Sequence, residues 1–157
     1  MKRRKIVKTG MDSAIEEISL NTPHKTLATW AADCAERVLP HFEEKYPGDT
    51  RPRDAISALR AWIRTGEFHM SEVRRASLAA HAAARTVQED DAARSAARAA
   101  AQAMATAHVS RHALAAALYA ATAVRDASSS SDAESATLRE REWQLRHLEE
   151  LGLEEES

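Results

Sequence analysis

Residues 76–123 read ASLAAHAAARTVQEDDAARSAARAAAQAMATAHVSRHALAAALYAATA, and 23 of these 48 residues are alanine. The interruptions are mainly arginine, histidine and occasional large apolar groups. Alanine gives up no side-chain entropy on entering a helix, so the stretch is strongly helical. It also buries little apolar area, so the segment cannot stabilise itself by bulk. Whatever packs on it must come close and must accommodate the His and Arg side chains. This predicts an alanine-rich central pair of helices that the rest of the chain wraps.

From Ala92 to Asp126 there is no Gly or Pro. One continuous helix over that length would run about 52 Å, whereas a compact domain of this size has a radius of gyration of about 15 Å. A break is expected at His108-Val109-Ser110, with Ser110 capping a further helix over Arg111 to Arg125. Upstream, Ser71 is the expected start of a helix reaching about Gln88, and Asp90 or Asp91 the cap of the next.

Earlier in the chain, Thr22 and Pro23 read as cap and first position of a helix. Leu27, Trp30, Ala31, Cys34 and Val38 recur along it at helical spacing. Pro40 should kink it or end its regular part, with His41 to Tyr46 as a last turn or two before Pro47-Gly48 stops the helix. Asp49 or Thr50 caps the following helix, whose stripe of Ala55, Ile56, Leu59, Trp62 and Ile63 ends at Gly66. Trp30 and Trp62 are the expected large knobs filling the space that alanine leaves. Beyond Ala127, a run of serines links to a helix over Asp132 to Leu151, with Leu138, Leu145, Leu148 and Leu151 on one side and Gly152 at its end.

The 157 residues suit one hydrophobic core. Four glycines, four prolines and few β-branched residues leave little from which to build strands. The expected fold is an all-α, single-domain helical bundle of about five to six helices. Residues 1–21 read as a loosely ordered basic segment with one or two helical turns near Asp12-Ser13, residues 22–127 as the bundle core, and residues 128–157 as a linker and an acidic helix packing on it.

The single Cys34 excludes an internal disulfide and is usual in a cytosolic protein; its expected state is buried and inert. The basic start has no apolar run behind it, so neither a signal peptide nor a membrane span is predicted, and the protein should stay where it is made. Net charge is −2. The basic start is too short to neutralise many phosphates and lacks aromatic interleaving, which argues against a nucleic-acid partner.

Several blocks occur in one order: WAADCAERVLP at 30–40, RPRDA at 51–55, RAW at 60–62, MSE at 70–72, AHAAAR at 80–85 and ATAH at 105–108 followed by His112-Ala113. Together, over residues 27–123, they resemble a bacterial family of putative immunity proteins, thought to neutralise a co-encoded toxin in polymorphic toxin systems. The resemblance implies a small all-helical protein of the bacterial cytoplasm whose partner is a cognate toxin. The basic N-terminal segment, the serine linker and the acidic final helix lie outside the resembling region.

The polar groups admit two chemistries. His108 and His112, four apart, with His81 and Asp33 from other helices, have the composition of a metal site with three His and one carboxylate. A metal-binding protein or metal-dependent enzyme is therefore the alternative function, although no Glu stands where a general base would, and a helix break would spoil the shared face. Otherwise, partly buried His and Arg in closely packed helices must hydrogen-bond to neighbours. Asp33, Arg37, Arg51, Arg53, Arg60, His81, Arg85, His108 and His112 then form either a buried polar network or a patch that grips an acidic partner. No catalytic triad or phosphate loop is present, adjacent carboxylates such as Glu16-Glu17 diverge on a helix, and no cofactor is expected. Exposed small-residue helix faces would also permit a homo-oligomer.

Overall fold

The computed structural model describes residues 6–156, and its regular structure is entirely helical: α1 Asp12–Leu20, α2 His24–Val38, α3 Pro40–Glu43, α4 Arg51–Thr65, α5 Met70–Thr86, α6 Asp91–Ala105, α7 His112–Ala127 and α8 Ala133–Glu156. The count exceeds expectation because α1 is a full helix of nine residues, and because Pro40 separates the four-residue α3 from α2. Among the described residues no helix is long and apolar enough to cross a membrane.

Helix α6 is the axis of the bundle. Asp90 caps it, its carboxylate accepting the Ala93 N–H at 2.9 Å. It packs against α2, α3, α4, α5 and α7. Ten of its 15 residues are buried, eight of them alanine. A helix covered on nearly every side is apolar nearly all round, and only methyl-sized side chains let so many backbones approach one axis. Helices α5 and α7, also alanine-rich on their buried faces, flank it. The alanine stretch is thus a central helix with two flanks rather than a pair.

The break in the alanine run spans residues 106–111, around the expected His108-Val109-Ser110. Ser110 does not cap α7 through its side chain. Arg111 occupies the capping position without a side-chain hydrogen bond, and the Ser110 carbonyl accepts the Ala113 N–H at 3.1 Å. Thr22 likewise closes a preceding helix instead of starting the next: its hydroxyl donates to the Ile18 carbonyl at 2.8 Å. Gly66 ends α4 in the left-handed region at φ 72°, its N–H donating to the Trp62 carbonyl at 2.7 Å, a conformation that disfavours any β-carbon. Gly152 does not end α8, which continues to Glu156; one glycine inside a helix costs only about 1 kcal/mol.

Of the segment expected to be loosely held, residues 1–5 lie outside the described residues. Within residues 6–21, Val7 and Ile15 are buried. The Val7 N–H donates to the Thr122 hydroxyl oxygen at 3.2 Å, and Asp12 meets Arg141 of α8 at 2.7 Å. Trp30 is fully buried, and its indole N–H donates to the Gln144 carbonyl of α8 at 2.8 Å. Trp62 stays at the edge, half-buried, with its ring 4.9 Å from that of His24.

Helix α8 packs on α1, α2 and α7 through a stripe that is mostly polar: Thr137, Glu140, Arg141, Gln144 and Leu148 are buried. Leu138, expected on the apolar side, is exposed.

Candidate functional site

Most of the sequence-predicted polar residues fall into two separate places. One is a belt of ion pairs across α2, α4 and α8. Asp33 accepts from Arg60 at 2.9 Å and from the His147 Nε2–H at 2.7 Å. Arg53 pairs with Glu43 at 2.7 Å and Glu36 at 3.3 Å. Arg37 makes a two-pronged contact to Glu140, both bonds 2.9 Å, while its guanidinium carbon lies 3.8 Å from the centre of the Trp143 ring, which stacks in turn on His147. The hydrogen bond to Glu140 raises the Arg37 pKa further above its already high value. Arg51 stands apart, paired locally with Asp49 at 2.7 Å, and Arg85 is exposed on α5.

Every arginine of the belt is matched to a carboxylate of the same chain. Such a surface offers a partner little net charge, and exposed pairs of this type contribute at most about 1 kcal/mol each. The belt fastens α8 and α4 to α2. Cys34 lies buried close beneath it, its thiol pushed well above the ordinary value by burial and by the nearby Glu140 and Asp33 charges, so it is no nucleophile.

The second place is a groove of about 250 Å³ between α5, α6 and the turn that follows α6. His81, His108 and His112 line it together with Met70, Val73, Arg74, Ser77, Leu78, Gln102 and Ala105. His81 Nδ1 is 2.6 Å from an Arg98 guanidinium nitrogen. Arginine can only donate, so Nδ1 is the acceptor and the ring proton sits on Nε2. His112 Nδ1 is 2.8 Å from Gln102 Oε1, an acceptor, so here Nδ1 carries the proton and Nε2 keeps a lone pair. His108 is exposed and stacks against Phe68 with ring centres 6.3 Å apart.

Burial and the neighbouring Arg98, Arg85 and His112 lower the His81 pKa to about 4. Burial and His108 lower that of His112. Both rings are neutral at neutral pH. An unfolded chain takes up the proton near 6.5, whereas folded His81 refuses it until about 4. Its contribution to stability is therefore full above pH 6.5, falls between 6.5 and 4, and changes no further below that. Allowing for the solvent screening of a half-exposed ring, the loss is about 1–2 kcal/mol. His81→Gln should remove it: in urea titrations at pH 7.5 and 4.5, the wild-type protein should lose about 1–2 kcal/mol more than the variant.

The four metal-ligand candidates are not brought together. Asp33 is in the ion-pair belt, bound to Arg60 and His147. His81 cannot serve through Nε2 without surrendering the proton that Arg98 fixes there; a ligating imidazole needs an acceptor at its other nitrogen, not a guanidinium. Among the described residues no group of three or more His, Cys, Asp or Glu is placed to hold a metal ion.

Sequence reasoning missed Arg98 and Gln102, the partners that decide both tautomers. Their spacing of four along α6, amid alanines, was the available signal. It also missed Glu140, Arg141, Trp143, Gln144 and His147, because α8 lay outside the resembling region.

No curated protein and no solved structure matches the chain. Compared with protein families, residues 18–151 match one described as Imm-5 like putative immunity protein, a span that takes in most of α8 as well as the blocks of residues 27–123. The chain belongs to this immunity-protein family.

Proposed function

We propose that this protein is a non-enzymatic immunity protein of the bacterial cytoplasm, which binds a cognate toxin and neutralises it by covering its active site or an adjacent surface. The family match over residues 18–151 carries this reading. The chemistry of the side chains agrees with it: the one thiol is buried with a raised pKa, the belt carboxylates are committed to arginines, and the groove imidazoles are neutral and hydrogen-bonded. Neither the thiol nor the belt carboxylates are poised as nucleophile or base. Binding of this kind relies on shape and on charge complementarity, the latter setting on-rate and selectivity.

The test is co-expression with the product of each adjacent gene in a bacterial host. The expected result is growth in the presence of a neighbour that is toxic alone, together with a complex that survives size-exclusion chromatography. A neighbour that remains toxic and elutes separately would sink the reading.

A further inference from the structure

We propose that the groove between α5 and α6 is the surface that grips the toxin, by taking up an apolar side chain of the toxin flanked by carboxylates. This rests on the reading of the protein as an immunity protein and adds to it the place and the chemistry of recognition.

Three observations converge on the groove. Among the described residues, seven large apolar side chains are exposed, and one of them, Leu78, lines this cavity. Leu78 is in its wall at 57% exposure, beside Met70 and Val73, and the exposed Phe68 stacks on the lining His108. Apolar side chains concentrated around a concavity, rather than scattered singly, mark interaction surfaces.

The charge of the groove differs from that of two other clefts. The cleft beside the α6 N-terminus is lined by Glu44, Glu89, Asp90, Asp91 and Asp126 together with Lys45, which pairs with Asp90, and the one between α1 and α8 by Glu17 and Glu149. No carboxylate lines the histidine groove. Arg74 is in its wall, and the charges of Arg85 and Arg98 reach His81 inside it. With no carboxylate in its wall and Arg74 beside it, the histidine groove is the one of these three clefts that best receives a carboxylate.

The polar atoms within the groove suit an apolar guest. With both rings neutral, and each Nδ1 committed, His81 and His112 retain one donor and one acceptor and no ionic charge that entry would strip of water. The cavity, about 250 Å³, is smaller than the ~300–1,000 Å³ typical of small-molecule sites. It fits one anchoring side chain better than a metabolite. The rival occupant is a second copy of this chain, whose Leu153 lies beside Glu149 and Glu154. A two-fold dimer would make this contact twice, the groove of each copy receiving Leu153 of the other. The oligomeric state therefore separates this occupant from a toxin.

The experiment uses the full chain and the neighbouring toxin, with Leu78→Asp and Arg74→Glu as separate variants and Leu138→Asp, an exposed change on α8, as control. Each replaces an exposed side chain, and circular dichroism with thermal melting verifies folding. Leu78→Asp should weaken toxin binding at least 100-fold and abolish protection; Arg74→Glu should weaken it about 10-fold, with a shallower salt dependence. Leu138→Asp should match wild type. If wild type binds and protects but the two groove variants stay within about threefold of it, the groove assignment is wrong and the immunity reading stands. If wild type binds no neighbouring toxin, the immunity reading fails and the assignment with it. If wild type is a multimer in light scattering that Leu78→Asp reduces to monomer, the occupant is a second copy and the assignment is overturned.

Discussion

Replacing Trp30 with alanine should destabilise the protein by about 4–5 kcal/mol, the upper end of the range for removing a buried aromatic. The reason lies in what surrounds it. Trp30 is fully buried on α2, which packs against α6 and α7, and the buried faces of those helices are almost entirely alanine. A cavity among leucines can be partly refilled by new rotamers, but alanine has none to offer, so the void persists unless whole helices move. The indole N–H also holds the Gln144 carbonyl of α8 at 2.8 Å. Trp30→Phe keeps most of the buried area and loses that hydrogen bond, and should cost about 1–2 kcal/mol. Against a typical total of about 5–15 kcal/mol, the alanine variant should be largely unfolded at modest urea concentrations where the phenylalanine variant is still folded. Equilibrium urea unfolding followed by far-UV circular dichroism measures both; a loss below about 2 kcal/mol for Trp30→Ala would mean that the alanine framework closes around the void.

The same alanine content explains why the fold was readable and the surface was not. Alanine runs announce helices through backbone entropy, and Gly66 and Asp90 announce their ends through backbone conformation and capping, so α4, α5, α6 and α7 follow from local chemistry. What alanine does not announce is direction. It carries no long side chain to distinguish a helix face, so the central position of α6 depends on contacts from five other helices that no local pattern encodes. Helix α8 was misread for a different reason. Its buried stripe at Thr137, Glu140, Arg141, Gln144 and Leu148 keeps helical spacing, yet four of the five are polar, and a search for apolar periodicity passes over them. The groove shows the same limit at the level of single atoms: three histidines suggest a metal from composition, whereas Asp33 lies apart with Arg60 and His147, and the Arg98 contact at His81 fixes which nitrogen bears the proton.

Removing the charge of Asp12 should cost about 2–3 kcal/mol, and removing Arg141 at the same time should recover much of it. Arg141 keeps only 3% of its side chain exposed, while Asp12 keeps 36%. The guanidinium donates to Asp12 at 2.7 Å and to Gln144 Oε1 at 2.8 Å, and Gln144 passes the link to the Ala117 carbonyl at 2.9 Å. The Arg141 Nε is buried without a hydrogen-bond partner. The cation is thus incompletely satisfied even with Asp12 present. Burial alone would raise the Asp12 pKa, but the Arg141 hydrogen bond and charge, with the hydrogen bonds from Thr9, hold it below the ordinary 3.8. A depressed carboxylate contributes stability that is complete above its unfolded value and lost as pH falls through its folded value, so this pair survives until pH is below 3.8. Asp12→Asn preserves the size and much of the bonding to Thr9 while leaving a buried cation unpaired. Breaking a fully buried pair costs about 3–5 kcal/mol, and water reaching the half-exposed Asp12 site brings the figure down. In Asp12→Asn/Arg141→Met no buried charge remains, and the double variant should be more stable than Asp12→Asn alone by at least about 1 kcal/mol. If instead Asp12→Asn is within about 0.5 kcal/mol of wild type in urea titrations at pH 7, then the Arg141 charge is held by Gln144 and solvent, and Asp12 is not what ties α1 to α8.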